Sequence, residues 1–246
     1  MLARQFSQQE QKGVWTVPVV GIVPGAKLFT SDDLYADQYF FVNAYPKRIA
    51  DYGGTPVGVM CSDGYAVASS LELCDAFVFC GGSRFFPYHF QTMEHAVKTG
   101  KPVLAICLGM QMMNTYFLVE QQARVRGWTD SLLSLFEQMK KERYMFTEPV
   151  DGHWDGHLLR GRVQEFWHPV HVVPDTMLAR LTGRQVLNGA SMHNYRITHP
   201  ADAVTVCGRA DDGTIEAIEY DGRMLGVQFH PEADEQNRAL FDVVLR

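Results

Sequence analysis

The stretch "PVLAICLGMQMM" (102–113) combines two apolar patterns around one cysteine. Residues 102–106 form a continuous apolar run that suits a buried strand, and the residues after Cys107 have helical spacing. In a parallel α/β sheet, ligands bind beyond the carboxyl ends of the strands, where Cys107 would lie. There the first helical N–H groups and the helix dipole both favour a thiolate. We interpret Cys107 as a nucleophile, and on this stretch alone a buried structural cysteine is an equal alternative.

Strand and helix signals alternate through the first half of the chain. Strands are predicted in "TVPVVGIVPG", "TPVGVM", "AFVFCGG" and "PVLAIC", and helices in "SSLEL" and "QTMEHAVKTGK". Another helix is predicted to begin at Ser31 and to end at Gly53 and Gly54, with Pro46 at a kink or near a helix start. Its predicted apolar face includes Leu34, Tyr35, Tyr39, Val42 and Ile49. The alternation predicts an α/β fold with a parallel sheet covered on both faces.

The second half of the chain is richer in strand signals. The segment 118–146 has helical spacing and mixed charge, which favours a helix or lid packed over the sheet. From residue 161 the predicted strands are "GRVQEFWHPVHVVP", "TVCGRA", "TIEAIEY" and "MLGVQFHPE", followed by a short helix in "DEQNRALFDVVLR".

Composition narrows the classes of protein. With 246 residues, 46% of them hydrophobic, the chain can bury the core of one sizeable domain. The net charge is −6 without a basic cluster, so nucleic acid is not expected as a partner. No signal peptide or membrane-length apolar segment is evident, and a cytoplasmic protein is expected. The five cysteines form no C-x-x-C pair and are expected to be free thiols: Cys61, Cys74, Cys80, Cys107 and Cys207.

Two further motifs carry groups that a cysteine nucleophile needs. In "GVQFHPEAD", Pro231 favours an extended His230, so His230 and Glu232 could project to the same side. The carboxylate would then orient an imidazole that serves as the base. In "FVFCGGSRFFP", a predicted strand ends at Gly81 and Gly82, where backbone can approach a ligand closely. An N–H there, paired with that of Leu108, would form an oxyanion hole.

Together, "AICLGMQ", "GVQFHPE" and the Gly81–Gly82 turn resemble the class I glutamine amidotransferase superfamily. The segments "CLGMQMMN", "WHPVHVVPDTMLARLTG", "SMHNYRI" and "DGTIEAIEY" are similar to its gamma-glutamyl-gamma-aminobutyrate hydrolase-like branch, peptidase family C26. The resemblance implies a three-layer, flavodoxin-like sandwich with a mostly parallel central sheet and a strand-rich C-terminal half. It also implies an N-terminal extension over 1–16 before a domain over 17–246.

The resemblance assigns roles to particular residues. Cys107 becomes the nucleophile, His230 the general base and acid, and Glu232 its orienting group, with Gly82 and Leu108 as oxyanion donors. The expected substrate-binding residues are Gly81, Gln111, Ser191 and His193. Members of the branch often have arginine at the position of Leu108 and glutamine at that of Asn194. Both departures concern the substrate, and no cofactor or metal site is expected.

Two functions follow from the resemblance. The first is a stand-alone cysteine hydrolase that cleaves a small gamma-glutamyl amide through a thioester on Cys107. The alternative is a glutaminase subunit that passes ammonia to a partner synthetase. We favour the hydrolase because the second half of the chain resembles the stand-alone branch; a homodimer stays open. A non-catalytic binding protein is disfavoured by the complete set of triad motifs.

Several other residues receive structural interpretations. The motif "HWDGH" (His153, Asp155, His157) has metal-ligand residue types, but a solvated loop is favoured because a full ligand set is not evident. His168 and His171 are interpreted as structural, although one of them could line the site. Arg84, Tyr88 and His89 are secondary candidates for substrate contact. The methionines that follow Cys107 in the predicted helix are interpreted as core packing: Met110, Met112 and Met113.

Overall fold

The computed structural model describes residues 17–28, 37–154 and 167–246. The strands β1 to β15 are, in chain order, Val19–Val23, Gly25–Lys27, Gln38–Phe40, Thr55–Gly58, Cys61–Ser62, Tyr65–Ala66, Ala76–Phe79, Val103–Ile106, Thr147–Pro149, Trp167–Val172, Val186–Ala190, Tyr195–Ile197, Thr205–Arg209, Ile215–Tyr220 and Met224–Val227. The helices α1 to α7 are Ala44–Asp51, Ala68–Glu72, Pro87–Thr99, Leu108–Arg126, Leu132–Lys141, Met177–Thr182 and Asp242–Leu245.

The described strands build one large sheet and three two-stranded ribbons. The large sheet has nine strands in the order β11-β10-β13-β14-β15-β8-β7-β1-β4. Its pairs from β15 to β4 are parallel and those from β11 to β15 are antiparallel, so seven of the nine strands point the same way. The prediction of a mostly parallel sheet with a strand-rich C-terminal half is confirmed.

Helices cover both faces of the sheet. On one face, α2, α3, α4 and α5 pack into an apolar cluster, and on the other, α1, α6 and α7 build a second one. The strand β8 divides its side chains between the two: Val103 and Ala105 point into the first cluster, Leu104 and Ile106 into the second. The chain therefore folds as the predicted three-layer α/β sandwich, with β8 buried at the centre.

The predicted helix from Ser31 is wrong in part. Tyr39 lies in the strand β3, which pairs with β2, and the helix α1 begins only at Ala44. Residues 29–36, with the predicted start, are outside the described part of the chain. Pro46 is in the first turn of α1, where its missing N–H leaves no helical hydrogen bond unmade. The alternative of a proline near a helix start is therefore the correct one.

Helical spacing over 118–146 is confirmed by α4 and α5. The prediction that "PVLAIC" passes from a strand into a helix is also confirmed, because α4 starts at Leu108 and runs to Arg126. Met110, Met112 and Met113 are buried in the first apolar cluster, as predicted. None of the described helices combines the length and apolar character that a bilayer span requires. The predicted extension over 1–16 lies outside the described residues and stays a prediction.

The start of α3 provides a pH-dependent element of stability. His89 is buried, and its Nδ1 accepts a hydrogen bond from the Phe86 N–H at 3.1 Å. Burial lowers the pKa of His89 to about 3. In the unfolded chain the pKa of histidine is about 6.5, so stability present above pH ~6.5 is lost progressively as the pH falls toward 3.

When the pH is lowered from about 7 to 5, we expect His89 to reduce the free energy of unfolding of the wild-type protein by about 2 kcal/mol. The His89→Gln variant keeps an acceptor for the Phe86 N–H and cannot be protonated. Denaturant unfolding of both proteins at the two pH values measures the difference. Equal losses in wild type and variant would contradict this assignment.

Candidate active site

Three neighbouring parallel strands end at one edge of the sheet, and each leads into a predicted site segment. The strand β8 lies between β15 and β7. Cys107 directly follows β8, His230 follows β15, and Gly81 and Gly82 follow β7. Because these strands point the same way, the three segments meet at the same edge. Cys107 is central, with the histidine on one side and the glycines on the other.

The backbone makes a sharp turn at Cys107, between β8 and α4, and we call this turn the elbow. The dihedral angles of Cys107 are φ 54° and ψ −107°, a conformation that residues with a side chain rarely adopt. Such a conformation costs on the order of 1–3 kcal/mol. The turn is held by the Cys107 N–H, which donates to the Val227 carbonyl at 2.8 Å. Gly109 leaves room for this turn, because a Cβ at that position would clash with the Cβ of Phe79 at 2.6 Å.

His230 and Glu232 form a buried pair. The Nδ1 of His230 lies 2.6 Å from Oε1 of Glu232. Burial by itself lowers the pKa of His230, but the Glu232 carboxylate and the Cys107 thiol outweigh it and raise the pKa well above its usual value. The Nε2 of His230 has no other partner among the described residues and is available to Cys107. Cysteine, imidazole and carboxylate thus lie in the order that a triad requires.

The glycines after β7 pack directly against this group. A Cβ at Gly81 would lie 2.8 Å from Cε1 of His230, and one at Gly82 would lie 2.9 Å from Cδ2 of Leu108. The Gly81 N–H donates to the Tyr45 hydroxyl at 2.9 Å. Gly81 therefore has its donor occupied, whereas Gly82 and Leu108 border the cleft beside Cys107. This arrangement is compatible with the predicted pair of oxyanion donors.

Tyr45 is a component of the site that the sequence analysis missed. Tyr45 lies in α1 and its side chain is buried. Burial, and to a lesser degree the charge of Glu232, raises the pKa of its hydroxyl well above the usual value. The hydroxyl accepts from Gly81 and so links the glycine turn to the side of the site that holds Glu232. No sequence motif pointed to Tyr45 as a site residue, because its place in the sequence suggests only an apolar helix face.

Cys107 opens into a cleft of about 380 Å³. Arg84 contributes to its wall, and none of the described lining residues is acidic. Arg84 also makes no ion pair with a described residue, so its charge is available to a ligand. The lining consists of Gly82, Ser83, Arg84, Phe85, Cys107, Leu108, Gln111, Thr147, Trp154, Met192, His193, Asn194 and Tyr195.

The four predicted substrate-binding residues occupy different places. Gln111 and His193 line the cleft, and the Gln111 amide donates to the Tyr195 carbonyl at 2.9 Å. Gly81 borders a smaller neighbouring pocket. Ser191 is buried outside the described lining, where its hydroxyl donates to the His153 carbonyl at 2.6 Å. It therefore fastens one loop to another, and its role toward substrate stays a prediction.

The interpretation of "HWDGH" as a solvated loop is wrong for its first histidine. His153 is buried, and its Nε2 contacts the Asp212 carboxylate at 3.1 Å. The other two residues of the motif that were singled out, Asp155 and His157, lie outside the described residues. His168 reaches the same buried region as His153, whereas His171 is exposed and pairs with Asp211.

The match to a family model, together with the fold, gives the class: this chain is a glutamine amidotransferase-type hydrolase. Within that class the chain belongs to the peptidase C26 family, whose model matches residues 18–96 and 87–232. The family expected from the sequence motifs is thereby confirmed.

The chain is also similar to a relative over most of its length and, in its fold, to solved structures. The chain is 22% identical to Protein NtpR of Enterococcus hirae, over 92% of this chain and 97% of the relative. It superposes on a glutamine amidotransferase of Thermotoga maritima with a TM-score of 0.57 at 16% identity, covering 92% of this chain and 81% of the other. It superposes on the acivicin-bound glutaminase domain of Trypanosoma brucei CTP synthase with a TM-score of 0.61 at 17% identity, covering 93% and 92%.

Proposed function

We propose that this protein hydrolyses the gamma-glutamyl amide bond of a small molecule, with Cys107, His230 and Glu232 as its catalytic residues. The observation that carries the proposal is the 2.6 Å pair of His230 and Glu232 beside an elbow cysteine that opens into the cleft. An amide carbonyl entering this cleft meets the thiol at its floor. It also meets the backbone of Gly82 and Leu108, which supports an oxyanion site.

The reaction divides into two half-reactions. The Cys107 thiol gives its proton to Nε2 of His230 and its Sγ attacks the side-chain carbonyl carbon, while the oxyanion accepts hydrogen bonds from the Gly82 and Leu108 N–H groups. Because the pKa of His230 is raised, its imidazolium carries the proton that the departing amine needs. Loss of the amine leaves a gamma-glutamyl thioester. Water then gives a proton to His230 and attacks the thioester, and glutamate leaves as the thiol reforms.

The charge of the cleft supports a gamma-glutamyl group as the substrate. Such a group carries an α-carboxylate, and Arg84 is the unpaired cation among the described lining residues. A guanidinium can hold a carboxylate through two parallel hydrogen bonds. The absence of acidic side chains from the described lining removes repulsion of that carboxylate.

A matched pair of substrates tests the proposal. We expect gamma-glutamyl-p-nitroanilide to be cleaved at a kcat/KM at least ~100-fold above that of 4-aminobutyryl-p-nitroanilide, which lacks only the α-carboxylate. In isotopically labelled water, the label must enter the new carboxylate of glutamate, since water hydrolyses the thioester. Turnover without that label would exclude hydrolysis of the acyl group by water. Equal rates on both anilides would contradict recognition of the gamma-glutamyl group.

A glutaminase subunit is the second candidate. The superposition on the glutaminase domain of Trypanosoma brucei CTP synthase favours it, as does Leu108 after the cysteine. Under this reading, glutamine is the best amide, and its hydrolysis accelerates when a synthetase is present. Purification from the host, followed by identification of associated proteins, tests for such a partner. Ready hydrolysis of several gamma-glutamyl amines by the isolated chain would favour the stand-alone enzyme.

A further inference from the structure

Four side chains from separate parts of the chain converge behind the wall of the cleft. His153 follows β9, His168 lies in β10, His193 lies between β11 and β12, and Glu216 lies in β14. One nitrogen or oxygen atom of each lies within 4.8 Å of the corresponding atom of every other. We call these four residues the histidine cluster. The triad does not use it, and only His193 also borders the cleft.

The hydrogen bonds around the cluster fix which ring nitrogens carry protons. The outer nitrogens of His168 and His193, both Nδ1, lie 3.1 Å from the carbonyls of Pro169 and Tyr195. The outer nitrogen of His153, Nε2, lies 3.1 Å from the Asp212 carboxylate. Carbonyl and carboxylate oxygens only accept, so each outer nitrogen must donate. In the neutral imidazole the inner nitrogen is then an acceptor with a free lone pair.

Those three lone pairs face a buried carboxylate. The inner nitrogens are Nδ1 of His153 and Nε2 of His168 and His193, and all three are buried without a hydrogen-bond partner among the described residues. Both carboxylate oxygens of Glu216 are buried without one as well, and the side chain has 0% exposure. The lone pairs of the three inner nitrogens and the negative charge of the Glu216 carboxylate repel one another. In a buried site this repulsion is severe, because no water screens it. A cation at the centre removes it.

The distances from Glu216 to the three histidines match the spacing of ligand atoms around a zinc ion. Oε1 of Glu216 lies 3.4 Å from Nδ1 of His153, 3.6 Å from Nε2 of His168 and 3.3 Å from Nε2 of His193. Ligand atoms bound tetrahedrally at zinc distances of about 2.0–2.1 Å stand about 3.4 Å apart. The outer hydrogen bond of each histidine also reproduces the arrangement by which metal-binding imidazoles are oriented.

We propose that His153, His168, His193 and Glu216 bind one divalent transition-metal ion of the zinc type. Imidazole and carboxylate ligands suit zinc, and four protein ligands close a tetrahedral site, which is typical of a structural ion. The ion would join two strands of the large sheet to the segments around His153 and His193. Met192, His193, Asn194 and Tyr195 line the cleft, so the ion would hold one wall of the substrate site in place.

Metal analysis with a matched control tests this proposal. We expect about one zinc per chain in the wild-type protein and in His171→Gln, and at most about one tenth of that in His168→Gln and Glu216→Gln. His171 is on the same strand as His168, but it is exposed and outside the cluster. Removal of the ion by a chelator should lower Tm, and zinc alone should raise it again by about 5–10 °C. That recovery should occur in wild type and His171→Gln only.

A cobalt readout keeps the proposal falsifiable if a variant does not fold. The chelator-treated wild-type protein should bind Co²⁺ and give the intense visible absorption of a four-coordinate site. Wild-type protein that binds neither zinc nor cobalt would overturn the proposal and indicate that a protonated histidine neutralises Glu216. Equal metal binding by His168→Gln and His171→Gln would overturn it too, because the ion would then be elsewhere.

Discussion

Cys107→Ala is expected to lower kcat for gamma-glutamyl amide hydrolysis by at least about 10⁴-fold while the protein remains folded. In the proposed mechanism the thiol forms the bond to the acyl group, and Cys107 is the only cysteine in the described lining of the cleft. Alanine keeps the Cβ and the backbone hydrogen bond to Val227. Turnover of a gamma-glutamyl anilide, with circular dichroism and Tm as folding controls, measures the effect.

The control for this variant is Cys61→Ala. Cys61 is a half-buried free thiol outside the described lining of the cleft. Its replacement should leave kcat within about twofold of wild type. Activity of Cys107→Ala above about one hundredth of the wild-type value would remove the cysteine from the mechanism.

The second large effect concerns selective alkylation. At neutral pH, iodoacetamide should modify Cys107 at least about 1,000-fold faster than any of the other four cysteines. Cys107 borders the cleft beside His230, whose pKa is raised by the Glu232 carboxylate and by Cys107, which favours the positively charged imidazole. Burial raises the pKa of Cys61 to about 12 and raises the pKa values of the others too: Cys74, Cys80 and Cys207.

Time-resolved peptide mass spectrometry gives the rate at each cysteine. The variant His230→Ala provides the control, because loss of the imidazolium should slow modification of Cys107 while the rates at the other thiols stay unchanged. Uniform labelling of all five cysteines would contradict the proposed pairing of thiol and imidazole.

The meeting of Cys107, His230 and the glycine turn was predictable because these segments follow adjacent parallel strands. An apolar run followed by helical spacing located Cys107 at a strand end, and parallel strands bring their ends to one edge. The motifs at Gly81 and His230 also begin where strands end, so their convergence required only the correct sheet. The structure brings these segments together at that edge.

The histidine cluster was not predictable from spacing. Its members come from four segments between residues 153 and 216, and none has a second member within a short motif. Only the antiparallel pairing in the strand-rich half and the loops between those strands bring them together. For the same reason "HWDGH" suggested a solvated loop, although His153 is buried.

The helix predicted from Ser31 is wrong over residues 38–40, and the cause is different. Its apolar residues fitted a helical period, but Gln38–Phe40 is a strand of only three residues. So short a strand hardly displays an alternating pattern, and the pairing partner that stabilises it, β2, is equally short. Tertiary pairing outweighed the local pattern at this position.

The positive φ of Cys107 sets the stability of the chain against the proposed function of the thiol. Glycine would adopt φ 54° and ψ −107° with little penalty, so glycine would relieve the backbone strain at this position but would carry no thiol. Selection for stability alone would therefore favour replacement of the residue that we propose as the nucleophile. A side chain at the elbow therefore lowers the free energy of unfolding through the backbone strain beside the central strand. Such a residue is retained only while the thiol is needed for function.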